Sequence, residues 1–499
     1  MSQGKRMKTE NAATSKKRRK DNKALGTSFK LIAFAYVVIT IIFYISILKM
    51  NMLPGWVIAI FTIAEIVFTL AMVVGLIKKH RTYKLTVLCF IIVLLVSGIY
   101  IYVTRYVLAT SNFLGEVLKE FAETEDYYIV VRKESSYSKI EDIANKDVYM
   151  FQVADDVKSK IANKVSITFN SKNNLTDIGN DLIQKNIDVI LVSSTQYNMI
   201  SEEIKDFKTD TKIIYTEKHE LQTSTKTDNT ASKYSIKSGK FNVYISGIDT
   251  SGNISNVSRS DANILATVNT ETHEVLLTSI PRDYYVTLHS YGAKDKLTHS
   301  GIYGVNETVK TVEDLLDTDI NYYVRVNFTT VIKLVDKLGG IEVYSDYDFS
   351  RDGYNFKKGY NHINGAAALV FSRERYSFAE GDNQRVKNQQ HVIEAVIKKV
   401  LNSTTLLTKY TDILEALKGS FQTNIAQDDI SALVKDQINN MSSWSVKTNS
   451  LTGTGASSST YSMGSTPLYV MVPSSTSVND AKDKICLLYT SPSPRDMRR

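Results

Sequence analysis

The sequence predicts an α/β protein tethered to a membrane: three N-terminal transmembrane helices, then two α/β domains, the second with a central mixed sheet flanked by helices. Three observations carry this. Three long apolar runs follow one another before residue 108, short β-rich runs alternate with amphipathic helical ones from about Asp126, and a polar stretch divides that alternation in two. At 499 residues the chain is too long for one ordinary domain, which fits this division.

The first element is a basic arm, residues 1–28, with nine Lys/Arg against Glu10 and Asp21. Residues 29–108 hold seven Lys/Arg against Glu65, so the remainder, 109–499, carries −5 although the whole chain carries +8. The basicity therefore belongs to membrane topology and excludes a nucleic-acid footprint, which needs a basic surface on the folded domain. Cys89 and Cys486 are the only cysteines, too few for a disulfide framework or a thiolate metal site.

Leu31 to Leu48, Met52 to Ile77 and Leu85 to Thr104 are each long enough to cross a hydrocarbon core of about 30 Å. Lys78, Lys79, Arg81 and Lys84 make the second loop basic like the arm. Lys/Arg excess marks the cytoplasmic side, so the arm and that loop are expected inside, and everything after about Tyr106 outside. Glu65 would cost roughly 3 kcal/mol or more to bury as a charge. It is expected to be protonated or paired with a neighbouring span.

The accessory domain is expected over 109–225, with strands at Tyr127–Val131, Val148–Gln152 and Val189–Val192 and helices near Ser138–Ala144 and Leu175–Gln184. It contains no metal cluster, phosphate loop or nucleophile motif. Glu217 to Lys240, rich in Thr, Ser, Lys and Asp, reads as a linker, with 226–240 its core. The second domain, 241–485, opens on the strand FNVYISG. ANILATVN and HEVLLTSI then form a hairpin across Thr270–Thr272, and helices follow at Val305–Leu316, Thr329–Leu338 and about Asn383–Leu401. Residues 486–499, CLLYTSPSPRDMRR, break the pattern and read as a non-native tail.

Polar residues concentrate between 247 and 390. Asp249 follows a strand, Arg259 and Asp261 flank the start of the next, and Arg282 with Asp283 ends the third in SIPRD. Lys296 and His299 lie in KLTHSGIYG, while Arg373, Arg375, Asp382, Arg385 and Gln389 lie in FSRERYSFAEGDNQRVKNQQ, with Arg385 and Gln389 sharing a helix face. One Arg/Asp pair alone is ordinarily a surface ion pair of little consequence. Several arginines with a few carboxylates at one sheet edge suit a pyrophosphate, because guanidinium forks match phosphate oxygens. Asp249 and Asp261 would suit Mg²⁺, or Mn²⁺, which take carboxylates together with substrate phosphates.

The blocks GIDTSGNISNVSRSDANILATVN, EVLLTSIPRDYYV, KLTHSGIYG, VNFTTVIKLVDKLGGIEV and ALVFSRERYSFAEGDNQRVKNQQ resemble the LytR-CpsA-Psr family over about 238–475. With its three spans and preceding α/β segment, the chain is similar to the capsule-associated branch. The resemblance implies a membrane-anchored phosphotransferase that moves an undecaprenyl-pyrophosphate-linked polysaccharide onto peptidoglycan, forming a phosphodiester and releasing the lipid phosphate. A polyprenyl-pyrophosphate phosphatase side activity and capsule-assembly partners go with it. By the same resemblance Asp249 and Asp261 are metal ligands, Arg259, Arg282, Arg373, Arg375 and Arg385 bind pyrophosphate, Gln389 is a further site position, and Asp382 is the candidate general base. His299 is either a ligand contact or a structural hydrogen-bonder. A regulator or a non-catalytic assembly scaffold is the alternative; an acidic domain facing outward argues against direct contact with DNA.

Overall fold

A computed structural model describes residues 27–49, 53–78, 83–117, 123–221, 235–248, 254–402, 421–440 and 444–490. The chain divides into two units: residues 1–115 with 427–441, and residues 116–426 with 442–499.

The first unit holds α1 (Thr27–Lys49), α2 (Gly55–Ile77) and α3 (Tyr83–Val117), all three long and apolar enough to cross a membrane. α3 continues past the apolar run that predicts it. Glu65 of α2 is buried and finds a partner on the neighbouring helix, Tyr100 Oη of α3, which donates to Glu65 Oε2 at 2.5 Å, while Thr69 Oγ1 of α2 itself donates to Oε1 at 3.1 Å. The acid thus sits in a polar contact between helices, where the apolar surroundings would otherwise leave it unsatisfied.

The second unit begins with a five-stranded mixed sheet. β1 (Thr124–Arg132), β2 (Asp147–Met150), β3 (Thr168–Ser171), β4 (Val189–Ser193) and β5 (Thr211–Glu220) lie in the order β3-β2-β4-β1-β5. β2 runs parallel to β3 and β4, with α4 (Asp155–Ala162) and α5 (Leu175–Ile183) as crossovers, while β1 is antiparallel to both β4 and β5. The period of two along the strands sends Val130, Ile190 and Val192 to one face, against α5 and α6 (Ser194–Glu203), and Ile129, Val131 and Leu191 to the other, against α4. α6 opens on a capping box formed by Ser193 and Gln196.

Two expectations change here. The helix near Ser138–Ala144 is one short 3-10 turn, Ile140–Ile143. The linker does not begin at Glu217, because β5 continues to Glu220 paired with Thr124. β5 is an edge strand, and edge strands carry charged side chains that discourage further pairing. Its closing run of Glu217, Lys218, His219 and Glu220 therefore imitates a solvated linker.

After the short α7 (Phe207–Asp210), the second sheet begins with β6 (Lys240–Ile248), β7 (Ser260–Asn269) and β8 (Glu274–Ile280). β9 (Tyr285–Thr287), β10 (Lys294–Lys296) and α8 (Leu297–Ser300) lead to α9 (Val305–Leu316), β11 (Tyr322–Asn327) and α10 (Phe328–Lys337). The short strands β12 (Ile341–Ser345), β13 (Phe349–Arg351), β14 (Tyr354–Phe356) and β15 (Gly359–Ile363) precede α11 (Gly365–Arg373) and α12 (Asp382–Asn402). β16 (Phe421–Thr423) is followed by α13 (Gln427–Asn440), which belongs to the first unit. β17 (Ser445–Ser450), the hairpin β18 (Gly453–Thr460) and β19 (Gly464–Pro473), and α14 (Ser475–Thr490) complete the fold.

The sheet order is β16-β11-β6-β7-β8-β17, mixed as expected, with β11/β6 and β8/β17 parallel. α9 and α14 bury Val305, Val309, Val312, Val478, Ala481 and Ile485 against Tyr244, Leu265 and Leu276. α14 runs past 485 into the segment set aside as a tail. Leu488 extends its apolar stripe, and Leu488 and Tyr489 accept hydrogen bonds from Asn269 Nδ2 at 2.8 Å and Lys240 Nζ at 2.9 Å. Residues 491–499 lie outside the described residues.

Candidate functional site

The site is assembled by the β7/β8 hairpin. Its register pairs Asn263 with Ile280, and two further residues along each strand bring Asp261 opposite Arg282. There Arg282 Nη1 meets Asp261 Oδ1 at 2.6 Å. Thr298 Oγ1 donates to the same oxygen at 3.2 Å. The KLTHS segment reaches this point because the N–H groups of Leu297 and Thr298 bond the carbonyls of Tyr284 and Arg282, both at 2.8 Å. Gly301 allows the close approach: a Cβ there would come within 2.6 Å of the Ser258 carbonyl oxygen.

Asp261 is buried. Burial by itself would raise its carboxyl, but the guanidiniums of Arg282, Arg259 and Arg385 outweigh that and hold it below the usual carboxylate range. Lys296 Nζ pairs with Asp283 Oδ1 at 3.0 Å beside the same arginine. Arg259, Asp261, Arg282 and Arg385 thus form one electrostatic cluster, with Lys296 at its margin.

Arg259 is met by a residue that no sequence signal singles out. Glu202, at the end of α6 in the accessory domain, accepts from Arg259 Nη1 at 2.7 Å and Nη2 at 2.5 Å, a bidentate fork. Burial pushes the Glu202 carboxyl up, and Arg259, reinforced by Arg282, brings it below its ordinary value. Met199, Glu202 and Glu203 of α6 line a small cavity together with Arg259, Arg282 and His299. A carboxylate here occupies a guanidinium fork that also matches two phosphate oxygens.

His299 is fixed from behind. Its Nδ1 lies 2.7 Å from both Asp295 Oδ1 and Ser462 Oγ, and the Ser462 N–H donates to Asp295 Oδ2 at 2.8 Å. All three residues are buried. Next to it, Ser300 satisfies its hydroxyl on the Leu297 carbonyl at 2.6 Å and against Thr308 Oγ1 at 2.9 Å.

On α12, Arg385 is half-buried and Gln389 buried, and Gln389 Oε1 has no hydrogen-bond partner among the described residues. Gln390 fastens the helix to the sheet instead, donating to the carbonyls of Leu277 at 3.4 Å and Asn449 at 3.3 Å and accepting from Ser450 Oγ at 2.9 Å. Arg373 ends α11, exposed; Arg375, also exposed, donates to Tyr376 Oη at 2.7 Å. The Asp382 side chain and all of Asp249 lie outside the described residues; β6 ends at Ile248, paired with Ser260 beside Asp261. Among the described residues no group of three or more His, Cys, Asp or Glu is arranged to hold a metal. Asp261 is a single carboxylate paired with Arg282, and the guanidiniums around it keep it anionic.

Residues 197–483 match the sequence model of the LytR_cpsA_psr family. A polyisoprenyl-teichoic acid–peptidoglycan teichoic acid transferase of Bacillus cereus, TagU, is 38% identical over 204 residues, 41% of this chain and 66% of the relative. Its Enterococcus faecalis counterpart is 38% identical over 218 residues, 43% of this chain and 71% of that protein. The chain therefore spans about two thirds of the length of these curated relatives. A crystal structure of TagU from B. subtilis aligns over 51% of this chain and 98% of that one, at 31% identity and a TM-score of 0.40. Because the family match takes in more than half of its residues, the chain belongs to the LytR-CpsA-Psr family.

Proposed function

We propose that the protein is a membrane-anchored phosphotransferase that moves a capsular or other cell-wall polysaccharide from a polyprenyl-pyrophosphate carrier onto peptidoglycan. The observation that carries this is the convergence of Arg282, Arg259 and Arg385 on the buried carboxylate of Asp261 at one sheet edge. Membership of the family and the names of the TagU relatives support it. The three spans and the accessory domain favour the capsule-associated branch. The basic arm and second loop favour a cytoplasmic N-terminus in the plasma membrane, with both α/β domains outside.

In this reading an acceptor sugar hydroxyl attacks the phosphorus nearer the glycan. A sugar–O–P bond forms, the phosphoanhydride P–O bond breaks, and polyprenyl phosphate leaves; the hydroxyl proton goes to a carboxylate, for which Asp382 is the candidate. Arg282 and Arg385 neutralise the pyrophosphate, Arg373 and Arg375 join them from the segment leading into α12, and Gln389 offers its amide to the substrate. Arg259 takes part once Glu202 releases it. Asp261, with Asp249, would hold Mg²⁺ or Mn²⁺, which supplies further charge neutralisation. Water in place of the acceptor gives the slow phosphatase side reaction.

The test uses the full chain in detergent with a polyprenyl-pyrophosphate oligosaccharide and a peptidoglycan fragment. Transfer should require a divalent cation, and Asp261→Ala should raise the Mg²⁺ concentration for half activity while the protein stays folded. Full activity after exhaustive chelation would remove the metal. Hydrolysis with no transfer to any peptidoglycan acceptor would remove the transferase.

A further inference from the structure

A second cavity, of about 330 Å³, opens between the accessory and catalytic domains, lined by residues other than those of the phosphate cluster. That volume lies at the lower end of the range of roughly 300–1,000 Å³ typical of small-molecule pockets. The accessory domain supplies Glu125, Tyr127 and Gln152, and the catalytic domain supplies Tyr291, Tyr303 and Tyr461. The last three rings pack against one another, with centroids 4.6, 5.0 and 6.0 Å apart, and Tyr291 is 43% exposed. Gln152, held at φ +47°, donates from Nε2 to the Tyr461 carbonyl at 3.1 Å and accepts from Tyr303 Oη at 3.4 Å. A non-glycine residue in the left-handed region is strained, and such strain gathers at ligand clamps.

Glu125 carries the argument furthest. It lines the cavity, is only 7% exposed, and its Oε1 has no hydrogen-bond partner among the described residues. A buried polar atom left without a partner calls for an explanation, and a missing ligand is one. Burial pushes its carboxyl up to about 7, against the pull of Ser193 and Thr195. A carboxyl that is about half protonated near neutrality can donate as well as accept, as a sugar hydroxyl does.

Three elements run from this cavity to the arginine cluster. Along α6, Gln196 borders the first and Glu202 the second, about 9 Å apart at 1.5 Å per residue. Tyr303 and His299 do the same four residues apart, and Tyr461 and Met463 two residues apart on the β18/β19 hairpin.

We propose that this cavity is a glycan subsite, in which a hexose ring lies against Tyr291, Tyr303 and Tyr461 while its hydroxyls bond Glu125 and Gln152. Aromatic faces cover the apolar C–H side of the ring, and the polar groups fix its orientation. The ring belongs to the polymer or to the acceptor strand; that assignment rests on the transferase reading, the binding chemistry does not.

The test titrates the full chain in lipid nanodiscs with a peptidoglycan tetrasaccharide of alternating N-acetylglucosamine and N-acetylmuramic acid, and separately with maltotetraose. Binding of the first alone marks an acceptor subsite, and binding of the second alone marks a donor subsite. Tyr291→Ala should weaken the bound sugar about fivefold. Glu125→Ala should weaken it about threefold. Farnesyl pyrophosphate, which carries no sugar, reports in parallel on folding and on the arginine cluster. Sugar binding without farnesyl pyrophosphate binding would sink the transferase reading and leave the subsite standing. The subsite is overturned if neither oligosaccharide binds, if both variants bind as the wild type does, or if choline binds in their place.

Discussion

Among the described residues, two carboxylate–guanidinium pairs join the accessory domain to the catalytic one, and they differ chiefly in burial. Glu123, just before β1, meets Arg325 of β11 at 2.6 Å; the two side chains are 0% and 2% exposed. Glu123 also takes the Val305 N–H at the start of α9, and Arg325 Nη2 bonds the Asn256 carbonyl at 3.1 Å. Gly304, at φ +102°, makes room for this carboxylate, since a Cβ would meet Glu123 Oε2 at 2.7 Å. Glu202 and Arg259 form the more regular fork, yet the Glu202 side chain is 53% exposed. Geometry alone would rank the second pair first. Solvent reverses the ranking, because water takes over a half-exposed carboxylate at little cost, whereas a dry one has nowhere else to go. The first pair fastens the domains, and in the proposed function the second opens for a phosphate.

Removing one partner from each pair should break or sharpen this contrast. Arg325→Met leaves Glu123 as an uncompensated buried charge and should lower stability by about 3–5 kcal/mol. The double variant Arg325→Met with Glu123→Gln should recover much of that. Denaturation of the full chain in detergent reads both, and an unchanged single variant would show the pair to be idle.

Glu125 is the intermediate case, a buried carboxylate with no ion-pair partner among the described residues. Its folded pKa, about 7, lies above the unfolded value of 4.5, so the stability it leaves intact in acid is lost as pH rises through that interval. The loss should approach about 3 kcal/mol at alkaline pH, with Asp126 adding to the penalty. Glu125→Gln should therefore match the wild type near pH 4.5 and melt higher at pH 8. Equal melting at both pH values would place the carboxyl in contact with water.

The smallest effect is expected at Glu202. Opening an exposed pair costs up to about 1 kcal/mol, so Glu202→Gln should tighten pyrophosphate binding about twofold to fivefold. That gain should vanish when Arg259 is also changed to Gln. A gain that persists would mean that Glu202 acts by general charge rather than by covering this arginine.

The half of the site that was legible in the sequence is the half set by local register. The turn at Thr270–Thr272 fixes the β7/β8 pairing, which puts Asp261 opposite Arg282, and the helical period puts Arg385 and Gln389 on one face of α12. Both follow from strand and helix geometry within a short stretch of chain. Glu202 was invisible because it lies on a different domain's helix, in a segment with no motif, and only tertiary packing delivers it to Arg259. The three apolar helices were plain because length and apolarity alone decide them, whereas β5 was hidden by the charges an edge strand tolerates. Asp295 and Ser462 hold His299 Nδ1 in an arrangement spanning 167 residues of sequence, which no local pattern announces.

The proposed function requires the Asp261 cluster to bind a lipid pyrophosphate, and affinity for undecaprenyl pyrophosphate across an Arg282 series measures this. Arg282→Ala removes a charge-assisted contact of about 1.5–3 kcal/mol and should weaken binding about tenfold to a hundredfold, with or without metal. Arg282→Lys should recover only part of it, because an ammonium keeps the charge and loses the planar fork. Arg282→Ala with wild-type affinity and an unchanged melting curve would contradict the account.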